Sequence, residues 1–136
     1  MRQTMSTEVE DKKIVSENYI LILRKLNVFD EFGNKASMGK PYLLIQTTRG
    51  NISLKGVAEF VKAVCAFFKR DFNKVSTKLI NKEFILTRKN RIEFNDEGVK
   101  SPSGLPYLWI QTTKLGISID WADMGSFCKN LVEMLK

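Results

Sequence analysis

Pro41-Tyr42-Leu43-Leu44-Ile45-Gln46-Thr47-Thr48 returns further along the chain as Pro106-Tyr107-Leu108-Trp109-Ile110-Gln111-Thr112-Thr113. Extended outward without a gap, residues 17–54 and 82–119 are identical at 15 of 38 positions, with Ile52-Ser53-Leu54 matched by Ile117-Ser118-Ile119. A period of this size marks each copy as one supersecondary unit whose apolar face is completed by its twin. The chain is therefore read as an intrachain pseudo-dimer.

Each copy opens with an apolar strand, Asn18-Tyr19-Ile20-Leu21-Ile22-Leu23 or Glu83-Phe84-Ile85-Leu86-Thr87, followed by Arg24-Lys25 or Arg88-Lys89. A second strand is expected at residues 29–32 and 92–94, then a loop containing Gly33 and Gly39 or Gly98 and Gly104. The repeated octapeptide is the third strand, and Ile52-Ser53-Leu54 or Ile117-Ser118-Ile119 is the fourth. The period then changes from two to about 3.6. Val57, Phe60, Val61, Val64, Phe67 and Phe68 recur at that spacing, as do Trp121, Met124, Phe127, Cys128, Leu131, Val132 and Leu135. The expected class is α+β: two ββββα repeats, antiparallel sheets with packed helices. The helices fit an offset of 64. The reading gives a flexible N-terminal arm at 1–17, repeat 1 at 18–72, repeat 2 at 83–136, and a linker at 73–82. Residues 71–82 either continue the first helix or cross over as a basic connection.

A chain of 136 residues buries roughly two thirds of its surface on folding, enough for a core without staples or metals. It has no apolar run of about 18 residues and no cleavable leader pattern, so an intracellular protein without a membrane partner is expected. Cys65 and Cys128 fall in helical stretches and are taken as reduced. Histidine is absent, which removes the commonest general base and transition-metal ligand at neutral pH. No catalytic residue, cofactor or metal is assigned, and no enzymatic activity is expected. The formal net charge is +7, and the stretch 1–17 holds three basic and four acidic groups, so the remainder carries +8. A surplus of that size favours polyanionic partners such as nucleic acid.

Alternation along the third strand separates two faces. Leu43, Ile45 and Thr47, with Leu108, Ile110 and Thr112, suit a core under the helices. The opposite face carries Tyr42, Leu44 and Gln46 in one copy and Tyr107, Trp109 and Gln111 in the other. Arg24, Lys25, Arg88 and Lys89 at the ends of the first strands, and Lys35 and Lys100 in the loops, supply cations beside it. Rings flanked by cations and amides form a platform on which unpaired bases stack, at about 1–3 kcal/mol per base. A broad sheet does not enter the groove of B-form DNA, whereas splayed bases lie flat on it. The same rings also suit a protein partner, and Gln46 and Gln111 also suit cross-strand hydrogen bonds.

Leu115-Gly116-Ile117-Ser118-Ile119, followed by Trp121 and an amphipathic helix, resembles the single-stranded-DNA-binding module of the positive cofactor four family of transcriptional coactivators. Asn51-Ile52-Ser53-Leu54 and the helix after it are similar but lack the Trp. Related units occur in the Whirly proteins and in purine-rich-element-binding repeats. The resemblance implies two curved sheets whose outer faces bind single strands, with the helices packed together and the second module supplied in cis. It also implies binding roles for Phe32 with Lys35 and for Phe94 with Lys100, at the end of the second strand. Thr47 and Thr112 depart from the family pattern, standing where a basic residue is expected. The expected function is sequence-tolerant binding of single-stranded DNA, favoured over RNA, in transcription, replication or recombination, at a nuclear, nucleoid or viral replication site. Transcription or replication proteins are the further partners, and self-association stays open. The alternatives are an RNA-binding module of the same fold and a protein-interaction module.

Overall fold

The repeated octapeptide forms an interior strand in each of two antiparallel sheets. The computed structural model describes residues 6–38, 41–94, 96–101 and 104–136, with 6–11, 26–28, 35–38, 93 and 100–101 described by backbone alone. The first half holds β1 (Ser6–Val15), β2 (Tyr19–Phe29), β3 (Lys35–Met38), β4 (Tyr42–Thr47), β5 (Gly50–Leu54) and helix α1 (Val57–Phe68). The second holds β6 (Lys78–Ile80), β7 (Phe84–Asn90), β8 (Glu93–Phe94), β9 (Lys100–Ser101), β10 (Pro106–Thr112), β11 (Gly116–Asp120), a 3-10 turn (Trp121–Asp123) and helix α2 (Met124–Met134). The first sheet runs β1-β2-β4-β5 with β3 beside β2, the second runs β6-β7-β10-β11, and β8 and β9 form a separate ribbon. The class is α+β, as expected. No helix among the described residues is long and apolar enough to cross a membrane.

The first strand of each sheet is not where the sequence pattern put it. Residues 6–15 of the expected flexible arm form β1, which pairs with β2 from Ser6↔Phe29 to Val15↔Ile20. In the expected linker, β6 pairs with β7 in the equivalent register of the second copy, Ile80↔Ile85 and Lys78↔Thr87. Mixed charge, read as looseness, is here the mark of edge strands. Lys12 shows what holds β1. Its Nζ donates to the carbonyls of Glu133 (2.6 Å), in the last turn of α2, and Lys136 (3.0 Å), just past it, where the helix dipole favours a cation.

The second strand expected at 92–94 is present as β8 (Glu93–Phe94), whereas the one expected at 29–32 is corrected. β2 continues unbroken to Phe29, and Phe32 lies in the turn that follows. There Asp30 accepts the N–H groups of Phe32 and Asn34 (2.9 Å each), and Gly33 takes φ +79°. Gly98 takes φ +78° at the matching place between β8 and β9. This left-handed conformation strains any side-chain-bearing residue. The helices match at an offset of 67, not 64: Val57, Phe60, Val64 and Phe67 are buried, as are Met124, Phe127, Leu131 and Met134. The 3-10 turn before α2 takes up the added residues.

One apolar core serves both halves. Tyr19 of β2 meets Phe127 of α2 edge-on (5.1 Å, 85°), and Phe84 of β7 meets Phe60 of α1 in the same way (5.2 Å, 88°). Asn18 donates to the Asp123 carboxylate (3.0 Å) just before α2, while Glu83, which takes the place of Asn18 in the second copy, accepts the N–H groups of Lys55 (2.8 Å) and Gly56 (3.0 Å) just before α1. β2 thus packs on α2 and β7 on α1, each on the other half's helix.

Cys65 and Cys128 are free and half-buried on the two helices, with the Cys65 thiol 4.0 Å from the Cys128 carbonyl. Burial, then the neighbouring Cys65, pushes the Cys128 thiol up to about 12 from 9.0. The folded protein therefore holds that proton where the unfolded chain releases it. The associated stability is fully present below pH 9 and is lost as pH rises from there toward 12. Urea midpoints should fall above pH 9 in the native chain, and Cys128→Ala should flatten that decline.

Candidate nucleic-acid interface

The outer face of the second sheet is organised around Trp109. Leu108 and Ile110 are fully buried on the core side, so alternation turns Tyr107, Trp109 and Gln111 outward, where each is half-buried. The six-membered ring of Trp109 occupies the space a Cβ at Gly116 would need: the nearest ring atom would lie 2.3 Å away. Glycine at 116 is thus what seats the indole. Its N–H donates to Gln111 Oε1 (2.9 Å), and Lys89 Nζ lies over the ring at 5.4 Å. Beside it the Arg91 guanidinium lies over Tyr107 at 4.9 Å and is ion-paired with Asp120. These are two ring-cation pairs on one sheet face. At such exposed sites each contributes about 0.5–1 kcal/mol, so the Lys89 ammonium remains available for a stronger anionic partner, while Arg91 is shared with Asp120.

The first sheet carries a plainer version of this face. Tyr42, Leu44 and Gln46 stand opposite Arg24, Ile22 and Ile20 of β2, and Leu44 and Gln46 stand opposite Ser53 and Asn51 of β5. Leu44 takes the place of Trp109, and Asn51 takes the place of Gly116. The ring and the glycine that seats it are missing together.

Two expected cations belong to the other side. Arg88 pairs with Leu108, whose side chain is buried, and its guanidinium lies between Phe72 (5.1 Å) and Trp121 (4.9 Å) on the helix side. Its Nε is buried without a hydrogen-bond partner among the described residues, so the rings are what compensate the charge. Lys25 likewise turns to the helix side, at the rim of a groove with Lys12, Leu23, Val57 and Leu135. Successive strand residues project oppositely, so only one of each adjacent basic pair, Arg24 and Lys89, reaches the outer face. Phe32 is 79% and Phe94 67% exposed, in the β2–β3 turn and in the separate β8–β9 ribbon, not on the strands that carry the rings. The side chains of Lys35 and Lys100 lie outside the described residues. Trp121 is half-buried at the edge of the core against Phe67, Phe68 and Phe72.

Sequence reasoning missed Arg91, Gly116 and Lys78. Arg91 follows the end of β7, where strand alternation no longer reports direction. Lys78 became legible only with β6, which turns it toward Thr87 on the outer face. No group of three or more acidic or cysteine side chains that would hold a metal ion forms among the described residues.

Fold and face together define an α+β chain of two antiparallel sheets and two helices, with rings and cations on the exterior of the second sheet. Comparison with protein-family models, curated proteins and solved structures finds no match for this chain.

Proposed function

We propose that this chain is a sequence-tolerant single-stranded DNA-binding protein acting in transcription, replication or recombination, built as an intrachain pseudo-dimer of two positive cofactor four-like modules. The observation that carries the reading is the pairing of Trp109 with Lys89 and of Tyr107 with Arg91 on one sheet face. Stacking and phosphate attraction act there at adjacent points, as a flexible strand requires and a rigid duplex does not. The pseudo-dimer is supported by the exchanged contacts of Tyr19 with Phe127 and Phe84 with Phe60. Reciprocal use of equivalent residues is the signature of a two-fold interface.

Titration with single- and double-stranded oligomers of one sequence tests this. The single strand should bind more tightly, and log affinity should fall linearly with log salt, by about 0.7 per phosphate contact. Absence of single-strand binding at low salt would end the proposal. Competition between matched DNA and RNA oligomers reports the preference at the 2′-hydroxyl.

A further inference from the structure

Two clefts lie at the seam where β5 and β11 come together, one at each end. They occupy equivalent places. The first, of about 500 Å³, runs between Leu44 and Ser53 on the first sheet and the β10–β11 turn, and it is bounded by Lys55, Lys82 and Lys114. The second, of about 130 Å³, runs between Ser118 on the second sheet and the β4–β5 turn, with Arg49, Arg91, Asp120 and Asp123 along it. In the alignment of the two copies Lys55 corresponds to Asp120, Lys82 to Glu17 and Lys114 to Arg49. Glu17 borders the adjoining groove beside Asn18 and Thr48. Three positions that are all cationic at one end of the seam are therefore two anions and a cation at the other.

The ionic surroundings sharpen the difference. Lys55, Lys82 and Lys114 are exposed, and none is ion-paired with a carboxylate among the described residues. The acid in their cleft, Glu83, has both oxygens engaged by the backbone N–H groups of Lys55 and Gly56. In the opposite cleft Asp120 binds Arg91, and Asp123 accepts from Asn18. Ammonium groups on flexible stems hold phosphates without reading bases.

We propose that one continuous single strand crosses from the outer face of the first sheet to that of the second through the cleft bounded by Lys55, Lys82 and Lys114, with its phosphates on those ammonium groups. The opposite cleft, where Asp120 and Asp123 balance Arg49 and Arg91, offers the strand no such cationic surplus. This rests on the single-strand-binding reading above and adds the route: the duplicated halves form one directional track, not two independent sites.

The test compares oligo(dT) of about 6 nucleotides, short enough for one platform, with oligo(dT) of about 20 nucleotides. Both are titrated against the full chain, its Lys82→Glu/Lys114→Glu variant, and Arg49→Glu as the control in the opposite cleft. All three positions are exposed, and circular dichroism melts confirm folding. The double variant should bind the long oligomer at least about tenfold more weakly, with a salt slope shallower by about 1.4, which is two contacts at about 0.7 each. Its affinity for the short oligomer should stay within about twofold, and Arg49→Glu should disturb the long oligomer less than the double variant does. If long and short oligomers weaken equally, or Arg49→Glu matches the double variant, the route is wrong although binding stands. If the unaltered chain binds neither oligomer, the parent reading itself is wrong.

Discussion

Replacing Phe127 with alanine is expected to lower stability by about 3–5 kcal/mol, the cost of emptying a large aromatic site in a packed core. Phe127 is fully buried and meets Tyr19 edge-on at 5.1 Å. The surroundings cannot close over the gap, because the Tyr19 hydroxyl is held between Ser126 Oγ (3.0 Å) and Asn130 Nδ2 (2.9 Å). Phe60→Ala is the matching experiment, removing the partner of Phe84. Since each ring joins a sheet to the other half's helix, both variants should unfold in one transition at lower urea. Circular dichroism and tryptophan fluorescence should then coincide. Two separated transitions, or a loss below about 1 kcal/mol, would contradict the shared core.

Trp109→Ala should weaken binding of oligo(dT) by about 1–3 kcal/mol, roughly 5- to 150-fold. Leu44→Ala, at the corresponding place on the other sheet, should cost less. The difference follows from what each side chain offers a base: an indole seated over Gly116 and lying beneath Lys89, against a branched aliphatic group beside Asn51. Trp109→Phe should recover part of the loss. Gly116→Ala should weaken binding with every ring and cation retained, because its Cβ would displace the indole. Fluorescence anisotropy of a labelled oligomer measures all four, and equal losses for Trp109→Ala and Leu44→Ala would refute the asymmetry.

Much of the molecule was legible because it is local. The octapeptide, with Leu and Ile at alternate positions, foretold both interior strands and their buried side, and the 3.6-residue spacing of Phe60, Val64 and Phe67 foretold α1. The edge strands were not legible. Residues 6–15 and 78–80 carry little apolar pattern of their own, and each is a strand because β2 or β7 offers unpaired backbone groups to it. Tyr107, Trp109, Gln111 and Lys89 lie on the face that alternation predicts, and the same alternation turns Arg88, opposite the buried Leu108, to the helices, so counting both members of the basic pair as site residues ignored the strand's parity.

The sequence by itself determined that the chain is doubled, that each half is sheet followed by helix, and that rings and amides share one side of the repeated strand. These follow from identity, period and parity, which are properties of neighbouring residues. Only the tertiary structure decided which strands close the sheets, that α1 packs on β7 and α2 on β2, and that Lys55, Lys82 and Lys114 gather at one end of the seam while Asp120 takes a matching place at the other. Those outcomes depend on pairing and packing between segments far apart in the chain, where the free energy resides in the contact and not in either segment alone.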